Sequence, residues 1–197
     1  MGLAKKKGQR VDQVDLFKET FLKYESDKSG YHSYESVYSS LFDDRPSVKN
    51  ILEVGIHLGG SLKAWKELFI NSNIVGLDNN TERFFNEPRI YSMYLDQSLD
   101  SSFKEFKSVF RETYFDLIID DGCHYLSETL KTFEELLPLL SLNGYFIVED
   151  IPEENISHWE NIANNLPDRY YYKIYNMNNL AKTDLNDNII FLIRRDK

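Results

Sequence analysis

The chain has 197 residues, of which 42% are hydrophobic and 28% charged, with a net charge of −9. This length and composition are typical of one globular domain, and no apolar run approaches the roughly 20 residues needed to span a bilayer. The acidic balance argues against a general binder of nucleic-acid backbones but leaves sugars, glycans and small molecules as ligands. The single cysteine, Cys123, excludes an intramolecular disulfide and fits a reducing compartment, so we expect a cytoplasmic protein.

The N-terminal region is predicted to be a lead-in followed by a helix. Residues 1–10 are basic but contain no apolar stretch of the kind that a secretory signal requires. Gly2 fits a myristoylation motif poorly, because Lys6 stands where serine or threonine is needed. Apolar residues at helical spacing predict a helix over 11–24. We therefore divide the chain into 1–24, the lead-in and helix, and 25–197, the main domain.

The main domain begins with a polar, glycine-containing loop over 25–34 and a short helix over 35–42. Strands then alternate with helices. The strands are predicted at 50–54, 73–77, 89–94, 115–119, 145–148, 169–175 and 188–194, and the helices at 62–70, 103–112, 127–140 and 157–166. Ser61 is predicted to cap the first of these helices, and Asn143-Gly144 to end the third. This alternation indicates an α/β fold with a mostly parallel sheet and right-handed crossovers.

Two apolar strands end directly in pairs of acidic residues, Asp120-Asp121 and Glu149-Asp150. Ligands of open α/β sheets bind at the carboxyl ends of the strands. Carboxylates gathered there repel one another unless a cation or protons intervene, so the pattern predicts a divalent metal site. His124 follows Asp121 closely enough to share that site and to act as a general base.

Other interpretations of these residues stay open. Each acid pair alone is also typical of turn and helix-cap residues, and Asp120 is a candidate for orienting His124 or the amine of a cofactor instead of binding metal. Cys123 beside His124 suggests a nucleophile, but no oxyanion motif accompanies it. His57 is interpreted as a turn residue and His158 as a solvent-facing residue of a helix.

A glycine-bearing turn over 53–61 joins the first strand to the helix that follows it. Its glycines allow the backbone to approach a ligand closely, and the helix N-terminus attracts negative charge. The turn differs from the dinucleotide-binding G-x-G-x-x-G motif, because His57 takes the place of the second glycine. Asp78, at the end of the second strand, is placed to accept hydrogen bonds from a ribose diol. A nucleoside ligand fits both features.

The turn and Asp78 together resemble the motif of the class I S-adenosylmethionine-dependent methyltransferases. From about residue 26 onwards, the chain also resembles the metal-dependent sugar O-methyltransferases that act on macrolide antibiotics, and cephalosporin-hydroxylase-like proteins share much of the pattern. The residues that carry this closer resemblance are Ser26-Asp27-Lys28, Tyr31-His32, Tyr34, Ile51-Leu52-Glu53-Val54-Gly55, Gly59-Gly60-Ser61-Leu62, Trp65, Asp120-Asp121-Gly122-Cys123-His124 and Val148-Glu149-Asp150. The resemblance implies a Rossmann-like sheet of order 3-2-1-4-5-7-6, with the last strand antiparallel and helices on both faces.

The resemblance also implies a binding site for S-adenosylmethionine. Gly55 and Ser61 would line its methionine part, Asp78 would hold the ribose, and Asp96 and Gln97 would lie near the adenine. Lys28, Tyr31 and His32 match an N-terminal loop that closes over cofactor or substrate. The other residues assigned to the cofactor site on this basis are Glu53, Gly59 and Asp120.

The resemblance further assigns the acids at the strand ends. Asp121, Glu149 and Asp150 match the ligands of Mg²⁺ (or Mn²⁺), and His124 matches the proposed base, with Asp120 in a supporting catalytic role. The chain departs from the family at Cys123, where serine is usual. We also expect the extra N-terminal domain of the macrolide enzymes to be absent, so oligomer architecture and substrate identity stay open.

These observations predict a Mg²⁺-dependent O-methyltransferase that transfers methyl from S-adenosylmethionine to a sugar hydroxyl of a glycan or glycosylated small molecule. The alternatives are a catechol-type or other small-molecule O-methyltransferase and a non-catalytic, S-adenosylmethionine-binding accessory domain. The expected partner is a sugar or glycan acceptor, without nucleic acid or a membrane span. A homo-oligomer and a segment of a longer glycan-modifying polypeptide are both open.

Overall fold

The chain folds into a seven-stranded sheet with helices on both faces. The structure is a computed structural model that describes residues 12–42, 45–180 and 187–196. The expectations for the basic N-terminus, Gly2 included, lie outside these residues. The strands are β1 (Asn50–Val54), β2 (Asn73–Asp78), β3 (Ile90–Tyr94), β4 (Phe115–Asp120), β5 (Leu140–Val148), β6 (Tyr170–Asn176) and β7 (Ile189–Arg195). Their order, β3-β2-β1-β4-β5-β7-β6, confirms the predicted topology. Strands β1 to β5 are parallel, and β7 is antiparallel to both β5 and β6.

The helices follow the apolar periodicity of the sequence. They are α1 (Gln13–Lys23), α2 (Glu35–Leu41), α3 (Gly60–Leu68), α4 (Asp100–Val109), α5 (Leu126–Leu136) and α6 (Ile156–Asn164). Asp12 begins α1, because its side chain accepts a hydrogen bond of 3.1 Å from the amide of Val14. Among the described residues, none of these helices is long and apolar enough to cross a bilayer.

Two apolar clusters cover the two faces of the sheet. Successive strand residues point to opposite faces, so Ile51 belongs to one cluster and Leu52 to the other. Phe21 of α1 packs against Trp65 of α3, and Phe17 of α1 packs against Phe69, which places α1 in the first cluster. The second cluster contains residues of α4, α5 and α6. The N-terminal helix therefore shares a core with the main domain, and the boundary at residue 24 stays a prediction.

Two predicted helix ends are wrong. Helix α3 begins at Gly60, with Gly59 as its cap at φ 76°, so Ser61 already lies in the first turn. A left-handed cap favours glycine, and a serine at position 61 comes two residues too late to serve. Helix α5 ends at Leu136 in a short 3-10 turn, Leu137–Leu139, where Pro138 has no amide hydrogen to donate. Asn143-Gly144 instead lies inside β5, beside a shift in its register against β4.

Candidate active site

A cleft of about 790 Å³ opens at the carboxyl ends of the parallel strands. The structure brings most of the predicted site residues into its wall: Tyr31, Gly55, Ser61, Asp78, Asp96, Gln97, Asp121, His124 and Asp150. Five other predicted residues are buried and do not line the cleft: Lys28, Glu53, Gly59, Asp120 and Glu149. The predicted set therefore separates into a layer that faces the cleft and a layer behind it.

The glycine turn joins the cleft to the ends of β1 and β4. Gly55 has φ 99°, and a Cβ atom there would lie 1.9 Å from the carbonyl oxygen of Asp121. Only glycine permits so close an approach of the two strand ends. The turn then leads through His57, at φ 47°, to the left-handed Gly59 that caps α3. This geometry keeps the backbone of the turn open toward the cleft.

Asp78 holds the glycine turn in place. Its Oδ2 atom accepts a hydrogen bond of 2.9 Å from the amide of Ile56, and Oδ1 accepts one of 2.8 Å from Asn80. Arg83 Nη1 lies 3.4 Å from Oδ2. A carboxylate has about four acceptor positions, so Asp78 still has acceptor capacity for a diol in the cleft. The sequence predicted this ligand role but not the structural contact with Ile56.

Gln97 lines the cleft and at the same time fixes the buried Asp120. Its Nε2 atom donates to both carboxylate oxygens of Asp120, at 3.0 and 3.2 Å, and to Thr132 Oγ1 at 2.9 Å. Its Oε1 atom accepts from the amide of Cys123 at 3.0 Å. Burial, with the charge of Asp121, raises the pKa of Asp120 to about 8. The role of Thr132 was missed, because nothing local in the sequence connects it to Asp120.

Asp121, His124 and Asp150 converge at the cleft wall. One potential ligand atom from each lies within 4.8 Å of the others, and His124 Nε2 is 3.9 Å from Asp121 Oδ1. His124 and Asp150 have left-handed φ values of 58° and 52°, a region that few non-glycine residues adopt. The two carboxylates suit a cation such as Mg²⁺ or Mn²⁺, which prefers oxygen ligands and completes its coordination with water, and the imidazole lies beside that position.

A buried cation, Lys28, lies behind this group. Its Nζ atom is 2.6 Å from Asp121 Oδ2 and 3.1 Å from Glu53 Oε1, and it also donates to Glu149 Oε2. Burial alone would raise the pKa of Asp121, but the ammonium of Lys28 and the nearby His124 hold it below its usual value. Burial raises the pKa of Glu149, and the ammonium opposes that rise.

Glu149 therefore has a different environment from the other predicted metal ligands. Its second oxygen, Oε1, accepts a hydrogen bond from the hydroxyl of Tyr38, so both oxygens contact protein donors. Its assignment as a metal ligand stays a prediction. Tyr38 was missed by the sequence analysis. Tyr38 lies one helical turn beyond Tyr34, whose hydroxyl donates to Asp150 Oδ1. This spacing, which places both tyrosines on one face of the helix, was the sequence signal for Tyr38.

The loop that precedes α2 is tied to the same strand ends. His32 Nδ1 lies 2.9 Å from Asn188 Oδ1 and 3.4 Å from Asp150 Oδ1, and its ring stacks on Tyr34 with centroids 4.9 Å apart. Asn188 Nδ2 in turn donates to the carbonyl of His32. The segment predicted to close over the cofactor is thus anchored to the start of β7 and to Asp150.

The chain resembles several curated sugar O-methyltransferases. It is 30% identical over 146 residues to 8-demethyl-8-alpha-L-rhamnosyl tetracenomycin-C 2'-O-methyltransferase of Streptomyces olivaceus. The aligned region covers 70% of this chain and 37% of that protein. It is 32% identical to mycinamicin VI 2''-O-methyltransferase of Micromonospora griseorubida, over 66% of this chain and 34% of that protein. The chain thus spans little more than a third of the length of these relatives. No protein-family model matches it.

Solved structures with the same architecture share less sequence. The MycE methyltransferase in complex with Mg, SAH and mycinamycin VI superposes with a TM-score of 0.71 at 21% identity, covering 96% of this chain and 54% of that one. A putative caffeoyl-CoA O-methyltransferase from Staphylococcus aureus gives 0.61 at 15% identity, covering 92% and 91%. The chain has the class I methyltransferase fold. Its curated homologues are sugar O-methyltransferases.

Proposed function

We propose that this methyltransferase-fold chain carries the active site of an S-adenosylmethionine-dependent, divalent-metal-dependent O-methyltransferase that acts on a sugar hydroxyl. One observation supports this most strongly. The glycine turn with Asp78 and the group of Asp121, His124 and Asp150 line the same cleft. A nucleoside site and a cation site that share one cavity suit a reaction between a bound cofactor and a metal-oriented acceptor.

The residues of the glycine turn would hold the methyl donor. Gly55 and Ser61 line the cleft beside Asp78, and Asp96 and Gln97 lie across it at the end of β3. The amide of Ser98 and its hydroxyl both donate to Asp96 Oδ1, so this carboxylate is held in one orientation. When bound, S-adenosylmethionine would supply an activated methyl group, and Mg²⁺ would polarise and orient the acceptor hydroxyl.

His124 is the residue that we propose takes the proton from the acceptor hydroxyl. Its side chain is about one third exposed, so an acceptor in the cleft can reach the imidazole. Asp121 and Asp150 would place the cation beside that imidazole. General-base assistance of this kind contributes roughly 10² to 10⁴ in rate. Asp120 is buried behind the cleft wall. We therefore propose for it only a structural role, in which its hydrogen bonds with Gln97 help to fix the backbone at Cys123.

The lining of the cleft favours an uncharged acceptor with apolar faces. Acidic residues dominate its charged surface: Glu25, Asp27, Asp78, Asp96, Asp121, Glu128 and Asp150. This negative field would repel a nucleotide-activated or otherwise anionic sugar. Tyr31, Leu58 and Tyr125 are mostly exposed and line the same cleft, where they offer contacts to a sugar ring or an attached apolar group. We propose a neutral glycoside, in the cytoplasm, as the acceptor.

The test combines cofactor binding with turnover. Calorimetric titration with S-adenosylhomocysteine measures the cofactor site, and S-adenosylhomocysteine production across neutral glycosides, anionic sugars and catechols measures the reaction. The His124→Ala variant should lose about 10²-fold or more in kcat while cofactor affinity stays within about twofold. His158→Ala, on the exposed face of α6, is the matched control.

Three results would contradict parts of this proposal. Normal turnover by His124→Ala removes the proposed base. Full activity after exhaustive chelation with EDTA removes the metal. Tight cofactor binding without turnover on any acceptor favours the accessory-domain alternative, and turnover of catechols alone favours the catechol-type alternative.

A further inference from the structure

The ammonium of Lys28 is a deeply buried charge at the candidate site. The side chain is only 1% exposed, and Nζ contacts carboxylates at the ends of three adjacent strands: Glu53 of β1, Asp121 after β4 and Glu149 after β5. An ammonium group has three donor hydrogens, and three carboxylates surround it here. Nζ donates hydrogen bonds to Asp121 and Glu149, whereas its contact with Glu53 Oε1, at 3.1 Å, is an ion pair without a hydrogen bond.

The contacts of Asp121 divide the acid cluster into an inner and an outer part. Its Oδ2 atom is bound by Lys28 at 2.6 Å, whereas Oδ1 faces His124 Nε2 at 3.9 Å. The inner part is Lys28, Glu53 and Glu149, and the outer part is His124 and Asp150 at the cleft wall. Asp121 belongs to both, so the position of Lys28 decides which oxygen of Asp121 faces the cleft.

We propose that Lys28 is a built-in cation that neutralises the inner carboxylates in the absence of metal, and a positioning residue that directs Asp121 Oδ1 toward the outer group. A divalent ion would then be held in the outer part, by Asp121 and Asp150 beside His124. The position of the divalent ion rests on the proposed function, whereas the neutralising role of Lys28 does not. This role differs from the sequence-based expectation that Lys28 contacts the cofactor.

The physical basis is the cost of burying uncompensated charge. Glu53 and Glu149 are each at most 2% exposed, so neither is solvated by bulk water. Without the ammonium, such carboxylates must take up protons or recruit another cation. Removing one partner from a buried ion pair is strongly destabilising, whereas removing both partners is often tolerated. This asymmetry separates a charge role for Lys28 from a packing role.

The test is thermal unfolding of Lys28→Met with EDTA and, separately, with Mg²⁺. Methionine preserves most of the side-chain length and removes the charge. We expect the Tm in EDTA to fall by about 6–20 °C, and added Mg²⁺ to raise it more than it raises the wild-type Tm. Lys66→Met is the matched control, because Lys66 pairs with Glu87, at 2.8 Å, near the surface. Its Tm should change by no more than about 2 °C.

The double variant Lys28→Met/Glu149→Gln distinguishes charge from packing. If the inference is right, it removes an acid along with its cation, and its Tm in EDTA should exceed that of Lys28→Met. The double variant also tests the inference if Lys28→Met is insoluble, because the double variant should then still be recovered as folded protein. A double variant no more stable than the single one, or equally insoluble, overturns the neutralising role.

Two further results would overturn the inference. A Tm for Lys28→Met that matches that of Lys66→Met shows that the inner acids do not need the ammonium. An equal rise with Mg²⁺ in Lys28→Met and wild type shows that Lys28 does not occupy the place of a cation. None of these measurements uses methyl transfer, so the absence of turnover would contradict the proposed function and leave this inference standing.

Discussion

Asp120 and Glu149 are each the buried member of an acid pair at a strand end, yet the protein stabilises them in different ways. Asp120 lies on the α5 side of the sheet, and both of its carboxyl oxygens accept from the side-chain amide of Gln97. Glu149 lies on the α2 side and contacts a full positive charge, Lys28, together with the Tyr38 hydroxyl. Each residue is 2% exposed, so burial alone does not explain the difference.

The difference shows two ways to bury an acid. Burial and the charge of Asp121 make Asp120 a weaker acid, with a pKa of about 8, and only neutral donors oppose that rise. Burial and the charges of Asp121 and Asp150 also raise the pKa of Glu149 well above its usual value, but there a full positive charge, the ammonium of Lys28, opposes the rise. The outward members of the two pairs, Asp121 and Asp150, then meet at one point of the cleft. Identical local patterns in sequence thus produce one amide-bound acid and one cation-bound acid.

Gln97→Leu should break the amide-bound side, and we expect it to cost more stability than either Glu149→Gln or Asp120→Asn. It removes the side-chain donor to Asp120 and the acceptor of the Cys123 amide together, while Thr132 Oγ1 keeps its hydrogen bond to the carbonyl of Glu128. Buried groups left without a partner cost about 1–3 kcal/mol each, and partial relaxation leaves an expected loss of about 3 kcal/mol in unfolding free energy. Urea unfolding at pH 7 in EDTA measures it. A loss below about 1 kcal/mol would show that water replaces the amide.

Glu149→Gln tests the cation-bound side and should have an intermediate effect. The amide can still accept from Lys28 through one atom, but the charge that faces the ammonium is gone. Hydrogen bonds to charged groups are worth about 1.5–3 kcal/mol, so a loss of this size is expected in the same urea assay. Tyr38→Phe, which removes only the hydroxyl donor to Glu149, is the control and should cost about 1 kcal/mol. Equal losses for the two variants would contradict a special contribution of charge.

Asp120→Asn should have the smallest effect. Because the pKa of Asp120 is about 8, its carboxyl is mostly protonated at pH 7, and an asparagine amide is a close neutral substitute. The expected change in unfolding free energy is below about 1 kcal/mol at pH 7 in EDTA. A loss as large as that of Glu149→Gln would show that Asp120 is ionised in the folded protein, and the comparison between the two acids would fail.

The sequence predicted the sheet and the cleft-facing residues better than the layer behind them. Strand ends and helical periodicity are local, so β1, β4 and the acids that follow β4 and β5 were placed correctly. The strand order came from the resemblance to known methyltransferases. Gly59 was missed as the cap of α3, because a left-handed glycine leaves no polar side chain as a signal. Asn143-Gly144 was taken for a helix end, because the same dipeptide also suits an irregularity inside a strand.

The contacts of Lys28 were out of reach for a different reason. The residue lies in a polar loop, where a lysine is ordinarily solvated, and no periodic pattern marks it as buried. Its partners come from other parts of the chain, so only the folded topology brings them together. Tyr38 shows the same limit, since its helix predicts a buried aromatic ring but not the carboxylate that its hydroxyl meets.

The distance along the chain between Lys28 and its partners has a consequence for folding. Lys28 precedes Asp121 by 93 residues and Glu149 by 121, so these contacts close very long loops. During synthesis, the lysine leaves the ribosome well before the last of its carboxylates, and it must stay hydrated until β5 has paired with β4. Contacts of such high sequence separation form slowly and late, after local helices and strands. The centre of the candidate site is therefore completed among the last events of folding.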